Sequence, residues 1–317
     1  MTEIKILNIP NYYSSYYLLG LSSVTKLTYQ PDPRFLKYNN KPQLIFELHN
    51  KLAVIDNDDP THIIQELYDQ VTLYFVTNKL KTVACYEQEK VKPLFPHYPV
   101  NISGLYIKIF GIHLFRFLKL KELASQLYIY KRRPIYKKEQ KKDINNNYVF
   151  FSSNIWKKEP ETNTIRAAFI RYCREDRRIQ FEGGFIGRSD GNNFNFGNEI
   201  NTVKYNPKVF SKLSSKSLVV LNNSAVCGAV SWRLAEYLNK GLFVLSFPFK
   251  IVLAIDFDNG ENIHFIDKIE EFKSVFDIVF SSPNYHKKIS ENGKKYFETY
   301  CTPEAQANYI IQNITLK

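Results

Sequence analysis

The sequence predicts an α/β protein built as two domains of similar size. Strand-like apolar runs alternate with helical segments over residues 1–130 and again over residues 148–317, which is typical of α/β folds. Between these halves, residues 131–147 are first highly charged, then rich in asparagine, and poor in apolar side chains. Because such a composition shift marks a linker, we predict one domain over residues 1–143 and a second over residues 144–317.

The clearest pattern in the second half is strand, loop, helix, glycine, strand. The apolar runs 218–221 and 242–245 have the length of buried strands, and residues 232–240 contain no helix breaker. Ser231 can cap the amino end of this helix, and Gly241 stands where a left-handed residue commonly ends one. The stretch therefore predicts a parallel βαβ unit, whose first loop lies at the carboxyl edge of a sheet, where α/β proteins bind ligands.

The remaining elements follow the same alternation. In the first half we predict strands at 4–9, 26–29, 44–48, 52–55 and 71–76, with helices at 11–22 and 61–70 and an amphipathic helical region at 105–127. In the second half we predict strands at 148–152, 178–181 and 264–266, and helices at 164–173, 207–213, 268–280, 283–300 and from Pro303 onward, with Thr302 as N-cap. Both halves therefore read as Rossmann-like.

Charge and cysteine usage narrow the class of protein. The 317 residues carry 43 Lys and Arg against 31 Asp and Glu, a net charge of +12. This charge fits either a soluble protein with a basic surface or one with an anionic partner, such as nucleotide phosphates, an anionic membrane face or nucleic acid, and charge alone does not choose between them. The four cysteines are far apart and form no CxxC pair, so neither disulfides nor a zinc site are predicted and a reducing cytoplasm fits. We predict no signal peptide and no transmembrane span.

The amphipathic region 105–127 comes nearest to a membrane-spanning length, but charged residues interrupt it. Together with the basic run that follows it, this region could touch an anionic membrane surface. A domain helix followed by a solvated basic linker is the interpretation that the charge pattern favours.

Two arginines are candidates for binding an anion. Arg233 follows the cap Ser231 at the amino end of its helix, where backbone N–H groups and the helix dipole favour phosphate. Arg166 lies near the start of the helix that follows the first strand of the second domain, and could neutralise a departing diphosphate. Glu236 is three residues after Arg233 on the same side of the helix, so the two could also form an ordinary surface ion pair.

The segment from Glu236 to Ser246, EYLNKGLFVLS, resembles the E-x4-G-x-strand segment of GT-B glycosyltransferases. The stretch from Tyr148 to Tyr300 is similar to the C-terminal half of polysaccharide-building bacterial members, through FFSSNIW, NTIRAAFIRYC, FEGGF, SWRLAEYLNKG and ENIHF. The resemblance implies two Rossmann-like domains facing a cleft. It also implies transfer of a sugar from a nucleotide-sugar donor of the UDP, GDP or CMP type to a glycan or lipid-linked acceptor in cell-surface polysaccharide synthesis.

The resemblance assigns the donor to the second domain and the acceptor to the first. Glu236 would bind the donor ribose, Ser231 and Arg233 the diphosphate, and Glu261 with Asn262 would lie near the donor sugar. It implies a metal-independent reaction with no cofactor besides the substrate, no nucleic-acid partner, and a cytoplasmic protein that could lie on the inner face of the membrane.

This sequence departs from the pattern of retaining members at one position. Gly228 stands eight residues before Glu236, where those enzymes carry another glutamate. An inverting mechanism would instead need a general base in the first domain, for which Asp56, Asp58 and His97 are alternative candidates.

Two other functions stay open at the sequence level. Asp56-Asn57-Asp58 has the DxD form with which GT-A glycosyltransferases hold a divalent metal, so a metal-dependent transferase is one alternative. A non-enzymatic basic protein that binds nucleic acid or an anionic glycan is the other. No GxGxxG, P-loop, HExxH or GxSxG motif stands out, which argues against common dehydrogenases, NTPases, zinc proteases and lipases.

Overall fold

The computed structural model describes residues 3–58, 62–140, 144 and 146–317. Its strands are β1 (Glu3–Ile6), β2 (Lys26–Tyr29), β3 (Leu44–Leu48), β4 (Lys51–Asp56), β5 (Leu73–Val76), β6 (Lys79–Leu80), β7 (Val91–Pro93), β8 (Tyr148–Asn154), β9 (Gln180–Ile186), β10 (Val220–Asn222), β11 (Val244–Ser246), β12 (Ile251–Val252) and β13 (His264–Phe265).

The α-helices are α1 (Ser15–Val24), α2 (Gln65–Gln70), α3 (Ser103–Phe110), α4 (His113–Phe117), α5 (Leu120–Arg132), α6 (Pro160–Glu175), α7 (Pro207–Ser214), α8 (Trp232–Asn239), α9 (Phe272–Ser281), α10 (Pro283–Tyr296) and α11 (Pro303–Leu316). Among the described residues, no helix is both long enough and apolar enough to cross a bilayer.

The chain forms two compact α/β units, which confirms the predicted fold class. The first comprises residues 1–137, 250–256 and 298–317, and the second residues 138–249 and 257–297. The predicted division at residues 143 and 144 falls partly outside the described residues, and it needs two corrections, because the segments 250–256 and 298–317 belong to the first unit. The sequence shows that α11 is helical, but not which unit its apolar face packs against.

The first unit has a six-stranded sheet in the order β2-β1-β3-β4-β5-β7. Its strands are parallel except for β3, which runs antiparallel to both β1 and β4. A two-residue turn causes this reversal, because His49 and Asn50 between the paired Leu48 and Lys51 both have left-handed φ values, 51° and 61°. Such a turn joins antiparallel strands tightly.

The carboxy-terminal helix α11 is part of the first unit because it packs on α1. Ala307, Ile310 and Ile314 are buried, and each isoleucine contributes roughly 1.5–3 kcal/mol by leaving water. The two helices approach most closely at Gly20, where an added Cβ would lie 2.0 Å from the carbonyl oxygen of Pro303. Thr302 caps α11 as predicted, its Oγ1 accepting a hydrogen bond from the backbone N–H of Ala305 at 3.1 Å.

The second unit has five parallel-paired strands in two ladders, β8-β9 and β10-β11-β13. The ladders meet at β8 and β10, where the backbone N–H of Leu218 donates to the carbonyl of Tyr148 at 2.7 Å. There, Ser217 Oγ accepts a hydrogen bond from the N–H of Phe150 at 2.9 Å. The resulting strand order is β9-β8-β10-β11-β13, with an apolar core that includes Val149, Phe169 and Leu245.

The βαβ unit predicted around residue 232 is present as β10, α8 and β11. Ser231 caps α8, and Gly241 ends it with φ of 64°, a value that glycine adopts without strain. The N–H of Gly241 bonds to the carbonyl of Leu238, and that of Leu242 to the carbonyl of Tyr237. This pair of bonds satisfies the last carbonyls of the helix, so the sequence signals at both ends are confirmed.

Candidate anion-binding site

The strand order of the second unit creates a switch point between β8 and β10. From β8 the chain passes through α6 to β9 on one side, and from β10 it passes through α8 to β11 on the other. Open α/β sheets bind ligands in the crevice that such a divergence leaves beyond the carboxyl ends of the strands. Arg166 and Arg233 belong to the two helices, α6 and α8, that leave this point.

Arg166 is buried, with 3% of its surface exposed. Its Nε donates to Oδ1 of Asn223, just beyond β10, at 3.1 Å, and its guanidinium carbon lies 4.3 Å from the ring centroid of Trp156. Its Nη1 is also buried and has no hydrogen-bond partner among the described residues. Because a buried donor without an acceptor costs free energy, a ligand that supplies an acceptor here would be favoured.

The partners of Arg166 are themselves held in place. Asn163 accepts a hydrogen bond from the N–H of Trp156 at 3.0 Å and donates to its carbonyl at 2.7 Å, so the backbone under the indole ring is fixed. Thr162 Oγ1 donates to the carbonyl of Ser224 at 3.0 Å, which ties the loop after β10 to α6. The guanidinium is therefore positioned before any ligand arrives.

Arg233 lies in the first turn of α8. Its backbone N–H donates to Oγ of the cap residue Ser231 at 3.3 Å, and its guanidinium carbon lies 4.8 Å from the ring centroid of Phe210 and 5.9 Å from that of Phe151. No carboxylate of the described residues forms an ion pair with this guanidinium. The hydroxyl hydrogen of Ser231 remains available to a ligand, since the oxygen serves as acceptor for the cap.

The two arginines are close enough to affect each other's charge. Burial, and secondly the positive charge of Arg233, lower the pKa of Arg166 to about 9. Glu159 opposes this shift only as the smallest of the contributions. Arg166 thus stays protonated at neutral pH but is destabilised by its surroundings, so an anion bound between the two guanidinium groups would relieve their repulsion.

Three other arginines of the same region have partners in the protein. Arg171 pairs with the buried Glu199 at 3.4 Å, and Arg174 donates to the carbonyls of Asn198 and Gly183. Arg178 pairs with Asp176 at 2.6 Å and with Asp277 at 2.7 Å. These three arginines stabilise the fold, which distinguishes them from Arg166.

Glu236 is one helical turn beyond Arg233. Its Oε1 accepts hydrogen bonds from Nζ of Lys240 at 2.6 Å and from Oγ of Ser211 at 2.9 Å. Its Oε2 accepts none from the described residues, so it can accept a hydroxyl hydrogen from a ligand. Glu236 is thus ion-paired as the sequence allowed, but with Lys240 rather than with Arg233.

Glu261 and Asn262 lie at the opposite edge of the sheet. They precede β13, whose His264 pairs in parallel register with Leu245 of β11, so both stand at the amino end of these strands. Asn262 Oδ1 closes its own loop by accepting from the N–H of Asp258 at 3.0 Å, and Glu261 pairs with Lys288. The structure therefore does not bring these two residues together with Arg166 and Arg233, because the motif that resembled a sugar-binding loop begins a strand instead of ending one.

The base candidates of the first unit have different surroundings. Asp56 is buried at the end of β4, where both carboxylate oxygens are occupied: Oδ1 accepts from Nε2 of Gln43 at 2.9 Å and from the N–H of Asp58 at 3.1 Å, and Oδ2 accepts from the hydroxyl of Tyr74. Burial raises the pKa of Asp56 in spite of these bonds. Its geometry is that of a structural carboxylate, and Asp58 is exposed.

His97 is buried against the rings of Tyr16 and Tyr17, with ring centroids 6.0 and 5.1 Å away. Burial lowers its pKa to about 4, so its imidazole is neutral at pH 7 and could accept a proton only weakly. The low pKa of His97 and the fully occupied carboxylate oxygens of Asp56 make both weak candidates for a general base.

The sequence analysis missed Asn223, Trp156 and Asn163. The Asn222-Asn223 pair directly after the apolar run of β10 was a usable signal, because polar residues that follow a buried strand stand at its carboxyl end. Nothing in the local sequence marks Trp156 or Asn163, whose roles depend on the path of the loop between β8 and α6.

Comparisons with known proteins do not decide the family. No family model matches the chain, and no curated protein matches it. Among solved structures, it is similar to a glycosyltransferase from Rickettsia africae, with 12% identity over 92% of this chain and 71% of that one at a TM-score of 0.45. At such TM-scores these similarities support no conclusion about this protein.

Two further solved structures are similar to this chain at equally low identity and TM-score. Anabaena HepE in complex with UDP-glucose shares 12% identity at a TM-score of 0.44, over 79% of this chain and 65% of that one. A UDP-GlcNAc 2-epimerase from Neisseria meningitidis, bound to UDP-GlcNAc, shares 11% identity at a TM-score of 0.40, over 98% and 99%. The chain spans less than two thirds of the length of HepE.

Proposed function

We propose that this protein is a glycosyltransferase of GT-B type that uses a nucleotide-sugar donor. The observation that carries the proposal is the pair Arg166 and Arg233 at the switch point, where the buried Nη1 of Arg166 finds no acceptor among the residues described. A diphosphate supplies two adjacent negative groups, and a planar guanidinium can hold such oxygens with two hydrogen bonds. The free Oε2 of Glu236, one turn further along α8, suits a ribose hydroxyl.

In the proposed reaction, an acceptor hydroxyl attacks the anomeric carbon of the donor sugar and the nucleoside diphosphate leaves. Arg166 and Arg233 would stabilise the growing negative charge on the departing phosphates in a site shielded from water. The proton of the acceptor hydroxyl needs a base, for which Asp56, Asp58 and His97 were the sequence candidates. The hydrogen bonds of Asp56 and the low pKa of His97 weaken two of them, so the base stays unassigned.

The sequence-based predictions on the acceptor, the metal and the biological role belong to the same proposal. The donor would lie in the second unit and the acceptor glycan or glycolipid in the first, and the reaction would run without a metal. Cell-surface polysaccharide synthesis in the cytoplasm, close to the inner face of the membrane, is the role that fits a lipid-linked acceptor.

A thermal-shift screen with UDP, GDP, CMP and their sugars tests the nucleotide site. A ligand at about 100 times its Kd stabilises the folded protein by about 2.7 kcal/mol, which raises Tm measurably. Stabilisation by one nucleotide family in the presence of EDTA is the expected result. Stabilisation only with Mn²⁺ or Mg²⁺ would favour the GT-A-like alternative, and no response to any of these nucleotides would contradict the proposal.

The ion pairs of the basic residues argue against the alternative of a non-enzymatic protein that binds nucleic acid. A nucleic-acid-binding protein needs a continuous basic face and shows a steep loss of affinity with salt. Here Arg171, Arg178 and Lys240 are consumed in ion pairs with carboxylates. Titration with single-stranded DNA and RNA at two salt concentrations measures this directly, and we expect no specific binding.

A further inference from the structure

The segment from α3 to the start of α5 exposes four large apolar side chains. Ile107, Ile112, Phe115 and Leu120 have 50%, 74%, 63% and 73% of their surfaces exposed. Single exposed apolar residues are ordinary, but four within fourteen consecutive residues are an unusual concentration. We name these four side chains, with the basic residues beside them, the α3–α5 surface.

These four side chains are not needed for the core of their own segment. The residues that face inward are Tyr106, Phe110, Leu114 and Leu118, all buried and spaced four apart along the chain. Tyr106 and Phe110 lie one turn apart on α3, and Leu114 and Leu118 lie one turn apart on α4 and its carboxyl end, so each helix buries one side and leaves apolar residues of its other side outside. Their exposure is therefore a property of the sequence pattern, since the core is already complete without them.

Basic residues stand beside the exposed apolar ones. Residues 103–121 contain no aspartate or glutamate, and their cations are Lys108, Arg116, Lys119 and Lys121. None of these four side chains forms an ion pair with a described carboxylate. Glu122 follows the segment, but its carboxylate is engaged with the backbone N–H of Lys119 at 2.9 Å. The surface is thus apolar and positively charged together.

We propose that the α3–α5 surface binds an anionic phospholipid membrane. The apolar side chains would enter the boundary between headgroups and acyl chains, and the cations would contact lipid phosphates, as amphipathic basic elements do. A nucleic-acid partner would favour stacking aromatics along a basic groove, whereas three of the four exposed residues here are aliphatic. A carboxylate-free segment with unpaired cations matches a negatively charged surface better than a neutral one.

The proposed membrane contact covers a shorter segment than the one considered from the sequence. The sequence placed membrane contact over the broad region 105–127 and the basic run after it. We place it at the outward residues of 107–121, the part of this region that contains no carboxylate. The biological purpose, access to a lipid-linked acceptor, rests on the proposed function, but membrane binding itself does not depend on nucleotide binding.

Flotation with lipid vesicles tests the inference on the full-length protein. We expect the protein to float with vesicles of phosphatidylcholine containing one third phosphatidylglycerol, and to stay behind with phosphatidylcholine alone. The double variant Ile112→Ser/Phe115→Ser should abolish flotation. The variant Arg116→Gln/Lys119→Gln should weaken binding about 25-fold, because each basic residue near such a surface contributes about fivefold.

Matched controls separate this surface from general effects. Val203→Ser/Leu316→Ser removes exposed apolar residues elsewhere, and Lys273→Gln/Lys287→Gln removes two exposed cations elsewhere. Both controls should float like the wild type. Absence of flotation with anionic vesicles, equal flotation with neutral ones, or undiminished flotation of the Ile112/Phe115 variant would overturn the inference.

A second copy of the chain is the competing occupant of this surface. Light scattering that shows a dimer, dissolved by Ile112→Ser/Phe115→Ser, together with no vesicle binding would overturn the membrane proposal in favour of self-association. The nucleotide thermal shift is measured on the same variants. If it persists while flotation fails, the membrane inference alone is wrong, and the reverse result would contradict only the proposed function.

Discussion

The two units differ in how fully the polar side chains at the carboxyl ends of their strands are hydrogen-bonded. In the first unit, Asp56 ends β4 and its two carboxylate oxygens accept three hydrogen bonds from within the unit. In the second unit, Arg166 and Arg233 lie at the corresponding edge, and a buried donor of Arg166 has no acceptor in the part of the chain that the structure describes. A polar side chain at the carboxyl end of a strand is therefore not by itself evidence of a ligand-binding site. At the first edge the buried atom without a partner among the described residues is an acceptor, Oδ1 of Asn57, whereas at the second edge it is a cationic donor beside a second cation, and only the latter attracts an anion.

The largest expected effect follows from removing the charge at the second edge. Arg166→Met should weaken binding of the stabilising nucleoside diphosphate by about 2–5 kcal/mol, because a buried charge-assisted contact is lost. The same change should leave the stability of the unliganded protein within about 1 kcal/mol of the wild type, since removal of the buried charge offsets the lost hydrogen bond to Asn223. Calorimetric titration and denaturant unfolding measure the two effects.

The matched control for this variant is Arg171→Met on the same helix, where the arginine is half-exposed and paired with Glu199. It should leave nucleotide affinity unchanged. Loss of stability together with unchanged affinity in Arg166→Met would place Arg166 with the structural residues of the first unit, and the contrast between the two edges would disappear.

His97 tests the first unit through pH. Its pKa of about 4 in the folded protein lies below its ordinary value of 6.5, so the unfolded chain takes up a proton first as pH falls. The stability that the neutral imidazole allows is complete above pH 6.5 and is lost as pH falls to about 4, by about 3 kcal/mol. Unfolding of His97→Phe should show a correspondingly flatter pH dependence between these limits.

The exposed His49 provides the comparison, through His49→Asn, which keeps a residue suited to the left-handed turn. This variant should follow the wild-type pH profile. If the two histidine variants had the same profile, burial would not control the ionisation of His97, and a catalytic role for it would become more attractive.

Asp56→Ala removes the carboxylate that accepts the hydrogen bonds at the end of β4. The change leaves the hydroxyl of Tyr74 and the amide of Gln43 without an acceptor, so the free energy of unfolding should fall by about 2–3 kcal/mol. Nucleotide affinity at the second edge should be unchanged. Denaturant unfolding beside nucleotide titration checks both, with Asp69→Ala on the surface of α2 as control. A loss of nucleotide affinity without a loss of stability would show that the first edge binds ligand.

The smallest effect is expected at Glu236. Glu236→Ala should reduce affinity for a ribonucleotide by about 1 kcal/mol through the lost hydroxyl contact, while affinity for the 2′,3′-dideoxynucleotide should not change. Comparing the two ligands isolates the ribose, with the exposed Glu270→Ala as control. Equal losses for both ligands would mean that Glu236 acts only by holding Lys240 and Ser211.

Local signals in the sequence predicted local structure well. The caps at Ser231, Gly241 and Thr302 are present, since each depends on a few neighbouring residues. The packing of α11 on the first unit was not predicted, because an apolar helical face does not name its partner. The left-handed turn at His49-Asn50 was also missed, as it lacks the glycine that usually marks such a turn.

The residues of the candidate site, too, were predicted from the sequence only where a local signal marks them. Arg166, Arg233 and Ser231 were predicted because a helix start after a strand is recognisable, and the structure brings them to one edge. Glu261 and Asn262 were assigned to this site by the resemblance, although the predicted strand at 264–266 already put them before a strand rather than after one. The stack of Trp156 on Arg166 depends on a loop path that only the folded chain defines.

A crystal structure with the stabilising nucleoside diphosphate tests the central claim most directly. We predict that its phosphates lie within hydrogen-bonding distance of Nη1 of Arg166 and of the guanidinium of Arg233, beside the amino end of α8. Phosphates bound at the Asp56 edge of the first unit, or at the opposite edge of the second unit near Glu261, would contradict the claim.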